Sequence, residues 1–435
     1  MQFVDLRGRL LDRSELLSLV PRPELDPAQA AAAAAALIAE VRAGGSEALL
    51  AQSERFDGVR PESLRVPAAE IAAATAALPA PIRAALETAI DRVRRASAAQ
   101  VPPPAVTLLE DGAEVVQRWQ PVERVGLYVP GGKAVYPSSV VMNVVPAQVA
   151  GVVSLALASP PQSAFGGAVH PTILGAAGLL GIDEVYAMGG AGAIGALAHG
   201  VPDAGLLPVD VITGPGNVWV AAAKRLVQGR VGIDSEAGPT EILVIADASA
   251  DPRLVAADLV SQAEHDELAA ALLVTDSAEL AAAVQEILPA IAAATASSAR
   301  VAAALAGPQS AIVLVDDAAA AIAFSNAYAP EHLELLTVDP DETLRGITSA
   351  GAVFLGAFSP VSLGDYLAGS NHVLPTGGTA RFSAGLGAAT FLRPQQIVRY
   401  SRDALQRSAA RIVALADEEG LPAHGEAVTA RFIPG

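Results

Sequence analysis

The chain has 435 residues, 52% of them hydrophobic and only 4% aromatic, which is typical of a soluble globular protein with two or three cores. Its 28 basic and 46 acidic residues leave a net charge of −18, which argues against a nucleic-acid partner because a phosphate backbone is also negative. The lack of cysteine excludes disulfides, thiolate metal ligands and a cysteine nucleophile.

The start of the chain and its apolar stretches give no sign of export or of membrane insertion. Residues 1–10 carry three charges and no apolar core, unlike a signal peptide. The longest apolar stretch, 144–158, is shorter than a membrane span and contains Gln148 and Gly151. We therefore predict a cytoplasmic protein with no membrane partner.

Helices dominate the first hundred residues of the predicted structure. With Asp26 as N-cap and Pro27 at the first helical position, an alanine-rich helix is predicted to run to Gly44-Gly45. More helix is expected up to the proline-rich break at 101–104. Residues 107–118 then alternate between apolar and polar as strands do.

From residue 125 to about 245 the sequence repeats a strand, a glycine turn and a helix. The predicted strands of this region are Val125–Val129, Val152–Ala158, Glu184–Met188 and Val209–Ile212. Such alternation predicts a parallel sheet with helical crossovers. Ligands of these sheets bind at the carboxyl ends of the strands, where the glycine turns lie.

Two glycine turns of this region are candidates for binding a cofactor. Gly190, Gly192 and Gly195 form a G-x-G-x-x-G pattern after a strand, with Asp210 twenty residues beyond the first glycine. This pattern fits a dinucleotide site, but it also fits close packing of a helix in an alanine- and glycine-rich chain. The turn 214–217, Gly-Pro-Gly-Asn, is an equally good anion site at the next helix start.

The second half continues the alternation, with predicted strands at Glu241–Ala246, Ala270–Val274, Ala311–Val315 and Gly351–Leu355. A helix that starts at Asp251-Pro252 carries Gln262 and His265 on one face, so their side chains can converge. A lone Gln-x-x-His pair is also a common feature of polar helix faces. The tail from Pro394 to about Glu419 is predicted as one helix.

A carboxylate and an imidazole stand side by side at Glu331 and His332. Pro330 disfavours helical geometry at Ala329, so we predict a helix that ends before Asn326 and a turn that places the pair at the end of an element. A partly desolvated glutamate beside a histidine could supply two proton acceptors near neutral pH. An isolated Glu-His pair can equally be a solvated charge beside a structural histidine.

Six motifs together have a more specific meaning. Their order and spacing resemble those of the histidinol dehydrogenase family over nearly the whole chain: VGLYVPGG at 125–132, GPGN at 214–217, AGPTE at 237–241, SQAEH at 261–265, APEH at 329–332 and GSNHVLPT at 369–376. The resemblance implies oxidation of L-histidinol to L-histidine through histidinal, the last step of histidine biosynthesis, in two hydride transfers to NAD+.

The resemblance also implies an α/β fold of two incomplete Rossmann-like domains with parallel-rich sheets, plus small N- and C-terminal segments, in a domain-swapped homodimer. The implied parts are an N-terminal segment (1–24), a split α/β domain carrying the metal and catalytic residues (25–127 and 240–385), an inserted Rossmann-like domain on the NAD side (128–239) and a swapped C-terminal tail (386–435).

The resemblance further assigns site residues. One Zn2+ per subunit would be held by Gln262, His265, Asp365 and His424. His332 would be the base that takes the hydroxyl proton, and Glu331 would activate water on the aldehyde. The substrate would contact the metal ligands, His332 and three further residues, Thr240, His372 and Glu419. NAD+ would contact Tyr128, Gly192 and Asn217. Glu419 and His424 would come from the partner subunit.

One departure from the family and two rival functions remain open. The family usually carries glutamine where this chain has Gly192, so the side-chain amide that reaches NAD+ in the family is missing here. A zinc hydrolase would use the same metal with Glu331 activating water, but it would not need the glycine turns after the strands. A catalytically inactive binding protein would hold histidinol without turning it over.

Overall fold

The computed structural model describes residues 1–9, 12–23, 27–131, 135–236 and 238–433. The predicted N-cap Asp26 and two motif residues, Gly132 and Ala237, lie outside the described residues. Within them the strands are β1 (Gln2–Asp5), β2 (Ala105–Glu110), β3 (Ala113–Pro121), β4 (Arg124–Tyr128), β5 (Ser154–Ser159), β6 (Val185–Ala187), β7 (Val211–Thr213), β8 (Gly232–Ile233), β9 (Glu241–Ala246), β10 (Ala270–Thr275), β11 (Ala311–Leu314), β12 (His332–Leu336), β13 (Ala352–Leu355) and β14 (Leu392–Tyr400).

The α-helices connect and cover these strands. In chain order they are α1 (Arg13–Leu19), α2 (Pro27–Asp57), α3 (Ala68–Ala76), α4 (Ala80–Ala98), α5 (Pro137–Ala150), α6 (Pro171–Leu179), α7 (Gly190–His199), α8 (Val218–Val227), α9 (Pro252–Ala263), α10 (Ala278–Ala294), α11 (Ser298–Ala306), α12 (Ala318–Tyr328), α13 (Pro340–Leu344), α14 (Val361–Tyr366), α15 (Arg402–Glu418) and α16 (Pro422–Thr429). None of the helices in the described ranges is long and apolar enough to cross a bilayer.

Two parallel sheets form the centre of the fold, as the strand-and-helix alternation predicts. Among the described residues the first has six strands in the order β1-β11-β10-β9-β12-β13, and the second has five in the order β6-β5-β4-β7-β8. Strands β9 to β12 are buried along their whole length, because helices cover both faces of a parallel sheet. The prediction of a mixed α/β fold with parallel-rich sheets is confirmed.

The early helices pack on the second sheet. Helix α2 contacts α7 and α8, α3 contacts α6, and α4 contacts α5. Buried residues of α2, such as Leu37 and Leu49, share a core with Tyr186 and Ile194 of the second sheet and its helices. The division into domains stays a prediction. These contacts favour grouping residues 27–127 with the second sheet rather than with the first.

Predicted boundaries differ from the structure in the tail, before the Glu-His pair and in the first long helix. Pro394 lies in β14 and the tail helix starts only at Arg402, because β14 pairs with β3 at the edge of an antiparallel sheet ordered β14-β3-β2, where proline is tolerated. Helix α12 does not end before Asn326 but continues to Tyr328. Gly45, with φ 56°, interrupts the helical backbone as predicted, yet helix resumes directly after it.

Candidate active site

The predicted Glu-His pair lies where α12 turns into β12. Ala329 caps the helix in the left-handed conformation, with φ 53° and ψ 68°, and its N–H donates to the carbonyl of Ser325 at 2.7 Å. Pro330 and Glu331 follow, and β12 begins at His332. The predicted turn at Ala329 is confirmed. The pair therefore lies at the amino end of β12, beside the first residues of the neighbouring strand β9.

The Glu331 carboxylate is buried and held by two donors. The Thr240 hydroxyl donates to its Oε2 at 2.5 Å, and the backbone N–H of Glu241 donates to the same oxygen at 2.9 Å. Burial raises the pKa of Glu331 to about 8, although both hydrogen bonds act in the opposite direction. The group can therefore gain and lose a proton close to neutral pH.

The ring of His332 is held in one orientation by the main chain of Glu241. Its Nδ1 lies 3.0 Å from the carbonyl oxygen of Glu241, which can only accept a hydrogen bond, so Nδ1 carries the proton. Nε2 is then left with a free lone pair. Burial lowers the pKa of His332, which keeps the ring neutral at pH 7. A neutral imidazole with a free nitrogen can serve as a general base.

Gln262, His265 and Asp365 lie beside this pair. The Gln262 amide is buried, and its Nε2 donates to the Thr240 hydroxyl at 2.6 Å, so the amide oxygen is the end left for a ligand. Nε2 of His265 lies 3.9 Å from Oδ2 of Asp365, and burial lowers the pKa of His265. The Gln262 amide thus reaches the Glu331 carboxylate through the Thr240 hydroxyl, and His265 lies beside Asp365; the convergence of Gln262 and His265 on one ligand stays a prediction.

These three donors fit a metal ion of the predicted kind. An amide oxygen, a neutral imidazole nitrogen and a carboxylate oxygen are ligands that Zn2+ accepts, and Mn2+ or Co2+ accept them too. Within the described ranges, no group of three or more His, Asp or Glu side chains is arranged to hold a metal. Gln262, His265 and Asp365 are three of the four metal ligands that the resemblance to the family predicts.

His372 joins the same region from the loop after α14. Its Nδ1 lies 2.9 Å from the carbonyl oxygen of Asp365, and its Nε2 lies 3.1 Å from the hydroxyl of Ser139. The neighbouring Asn371 donates to the carbonyl of Met142 at 2.7 Å, which fixes this loop on α5. Ser139 was missed from the sequence as a site residue, because a serine at a helix start is explained by the helix alone.

The structure does not bring Glu419 and His424 to this group. Both side chains are exposed in the tail, where α16 packs on α15. Apolar side chains of the tail are also exposed, such as Val398 on β14 at 66% and Leu415 on α15 at 65%.

The predicted cofactor residues lie at the carboxyl ends of strands in the second sheet. Tyr128 ends β4, and its hydroxyl accepts a hydrogen bond from the N–H of Gly190, at the start of α7, at 3.1 Å. Burial raises the pKa of Tyr128 to about 12. Asn217 caps α8 by accepting from the N–H groups of Trp219 and Val220 at 3.1 and 3.2 Å.

The G-x-G-x-x-G pattern is explained by close packing. A Cβ on Gly192 would lie 2.0 Å from Oε1 of Gln52, and one on Gly195 would lie 3.1 Å from Ile38, both on α2. Asp210 precedes β7, at the end of the strand opposite the glycine turns, and accepts hydrogen bonds from the N–H groups of Glu123 and Arg124. Packing on α2 therefore accounts for Gly192 and Gly195, and Asp210 is not placed beside the glycine turn; the dinucleotide interpretation stays a prediction.

The Gly-Pro-Gly-Asn turn is organised by charges of the chain itself. The N–H of Gly214 donates to Asp234 at 2.8 Å, and the carbonyl of Gly214 accepts from Lys224 at 3.1 Å. Asp234 and Lys224 form a buried ion pair. A carboxylate thus takes the Gly214 donor that the anion interpretation would offer to a phosphate.

The chain is similar to proteins of one family over nearly its whole length. Residues 20–432 match the family described as histidinol dehydrogenase. The histidinol dehydrogenase of Leifsonia xyli subsp. xyli is 69% identical over 99% of both chains, and that of Mycolicibacterium smegmatis is 55% identical over 99% of this chain and 98% of the relative. The crystal structure of histidinol dehydrogenase from Elizabethkingia anophelis superposes with a TM-score of 0.93 at 34% identity, covering 99% of this chain and 98% of the other.

Proposed function

The chain belongs to the histidinol dehydrogenase family, oxidoreductases of the last step of histidine biosynthesis, and from this we propose that it oxidises L-histidinol to L-histidine with two NAD+. The observation that carries the proposal is that the main chain of Glu241 holds both proton acceptors, Glu331 and His332. Glu241 donates its N–H to Glu331 and offers its carbonyl to Nδ1 of His332.

In the first oxidation His332 acts as the base. Its Nε2 takes the proton of the substrate hydroxyl while a hydride leaves the carbinol carbon for NAD+, which gives histidinal, NADH and a proton. The hydrogen bond from Nδ1 to the carbonyl of Glu241 holds the required tautomer. It also helps to stabilise the imidazolium that forms, because the carbonyl dipole faces the charge.

In the second oxidation Glu331 acts on water. The carboxylate accepts a proton from a water molecule as the oxygen attacks the aldehyde carbon, and the imidazolium of His332 returns its proton to the aldehyde oxygen, which gives a hydrated aldehyde and a neutral His332. His332 then accepts a hydroxyl proton as the second hydride leaves for NAD+, and the resulting acid releases its remaining proton to solvent, as does Glu331, which gives the carboxylate of histidine. Thr240 and the N–H of Glu241 keep the Glu331 carboxylate in place for this step.

Zn2+ would be held by Gln262, His265 and Asp365 of one subunit and would orient the substrate by binding its nitrogens. We further propose a homodimer in which the tail of one subunit supplies His424 as the fourth ligand and Glu419 as a substrate contact to its neighbour. The exposure of both residues in the single chain supports this arrangement. On the cofactor side, Tyr128, Asn217 and the backbone at Gly192 would contact NAD+.

The test is to incubate the metal-loaded protein with L-histidinol and NAD+ and to follow NADH absorbance. We expect two NADH for each histidinol consumed, and loss of the signal after chelation with recovery when Zn2+ is returned. Absence of NADH from a protein shown to contain metal would contradict the proposal. If such a protein hydrolysed amide or ester substrates, the hydrolase alternative would replace it; if it bound histidinol unchanged, the inactive binding protein would.

A further inference from the structure

Glu241 is the residue that holds both catalytic side chains, yet it does so only with its main chain. Its N–H donates to Glu331 and its carbonyl accepts from His332. The Glu241 carboxylate is engaged elsewhere, and its side chain is 3% exposed. A buried carboxylate needs a partner, because desolvation of an unpaired charge is costly. Whatever pairs with this carboxylate therefore also restrains the peptide groups that orient the catalytic pair.

That partner is Arg22, 219 residues earlier in the chain. Its Nε and Nη2 donate to the two carboxylate oxygens of Glu241, the latter at 3.1 Å, in a bidentate pair. Nη2 also donates to the carbonyl of Tyr328 at 2.6 Å, and the guanidinium lies 3.8 Å from the centre of the Tyr328 ring. One guanidinium thus contacts both β9 and the end of α12.

The end of α12 is where the backbone is strained. Ala329, which follows Tyr328 directly, has the left-handed conformation that a residue with a Cβ adopts at a cost. Two arginines stabilise this helix end: Arg22 on the carbonyl of Tyr328 and Arg381 on that of Ala327, the latter at 3.2 Å. Cationic donors on the last carbonyls of a helix are favourable. Arg22 therefore supports both the turn that leads into Glu331 and the strand that holds it.

We propose that Arg22 is a positioning residue, which acts through Glu241 and the carbonyl of Tyr328 to hold the side chains of Glu331 and His332 in the orientation that proton transfer requires. The inference rests on the proposed function for its readout. The contacts of Arg22 are with Glu241 and Tyr328 and not with either catalytic side chain. Replacing Arg22 should therefore displace the catalytic pair without removing any group that binds NAD+ or metal. A displacement of this kind lowers kcat strongly, since proton transfer depends on geometry.

The experiment compares Arg22→Gln, Arg22→Lys and a matched control in the metal-loaded dimer. The control is Arg7→Gln, because Arg7 is in the same N-terminal segment but forms an exposed ion pair with Asp5. We expect Arg22→Gln to lower kcat on the order of tenfold or more with the KM for NAD+ and the bound metal unchanged. Arg22→Lys should recover part of kcat, since it keeps the charge but not the bidentate geometry. Arg7→Gln should match the wild type.

The route through Glu241 is tested with Glu241→Gln and the double variant. If Arg22 acts through Glu241, Arg22→Gln and Glu241→Gln together lower kcat no further than the more severe single change. Additive losses, or a wild-type kcat in Arg22→Gln, would overturn the inference. Should Arg22→Gln fail to fold, Glu241→Gln alone decides, and an unchanged kcat would overturn it. A wild-type protein that forms no NADH from histidinol would instead reject the proposed function.

Discussion

The carboxyl groups of Glu334 on β12 and Asp258 on α9 lie close enough to interact, and Glu334 is buried. Two carboxyl groups that share a site disfavour each other's ionised form, so one of them retains a proton to higher pH. Burial beside Asp258 raises the pKa of Glu334 to about 9, and burial raises that of Asp258 to about 6. The pair joins the strand that begins with His332 to the helix that carries Gln262.

We predict that Glu334→Gln makes stability less dependent on pH. The folded state keeps the Glu334 proton up to about pH 9, whereas an unfolded glutamate loses it near 4.5. Wild-type stability therefore falls as pH rises through this window, by up to about 1.4 kcal/mol per pH unit for a single proton. Glutamine has no such proton, so urea unfolding at pH 6 and 8.5 should show a smaller difference. Exposed Glu286→Gln is the control, and parallel slopes for all three proteins would contradict the assignment.

We predict that Glu331→Gln slows the oxidation of histidinal more than that of histidinol, on the order of a hundredfold, because only the aldehyde step needs activated water. The two steps are separated by supplying histidinol or histidinal with NAD+ and measuring NADH in single turnovers. Equal losses in both steps would contradict the role given to Glu331.

From the raised pKa of Glu331 we also predict how the rate of the aldehyde step depends on pH. Only the ionised form accepts a proton from water, and burial raises the pKa of Glu331 to about 8. The rate of histidinal oxidation should therefore rise with pH through a limb near that value. Glu331→Gln should abolish the limb in the residual activity. A limb that persists in the variant would belong to another group.

Mixed subunits test the proposed exchange of tails. His332→Asn and His424→Asn proteins are each expected to be inactive. Random exchange makes half of the dimers mixed, and each mixed dimer carries one intact site, so about one quarter of the wild-type activity should return. His332→Asn mixed with Gln262→Ala is the matched control, because both changes lie on the same side of the proposed interface. No recovery despite demonstrated exchange would show that each site is self-contained.

A glycine should be required at position 192, because the Gln52 side chain occupies the space that a Cβ would need. The Gln52 amide donates to the carbonyl of Leu37 at 3.1 Å and to Glu40 at 2.9 Å, so it cannot move aside for a methyl group without losing hydrogen bonds. We predict that Gly192→Ala lowers the free energy of unfolding by about 1–2 kcal/mol. In a Gln52→Ala background the same change should cost less, since the space is free. Equal costs in both backgrounds, measured by urea unfolding, would contradict this contact.

Much of the fold could be predicted because its causes are local. Continuous runs of valine, isoleucine and leucine between glycine turns led to the parallel sheets, since such strands are stable only when both faces are buried. Pro330 disfavoured right-handed helical geometry at Ala329, and α12 does end there, although Ala329 is left-handed rather than extended as the proline alone would favour. Neighbouring residues supply these constraints, so no distant contact is needed to infer them.

The sequence by itself also determined the family, and through that resemblance it predicted Glu331 and His332 as the catalytic pair, because the six motifs keep their order. Only the tertiary structure decided how that pair is held. The tautomer of His332 and the donors to Glu331 depend on the main chain of Glu241, about ninety residues away, and on Arg22 beyond it. The strand at Pro394 and the packing of Gly192 on Gln52 were decided in the same way. Contacts between distant segments arise from the packing of whole elements, which local propensity does not encode.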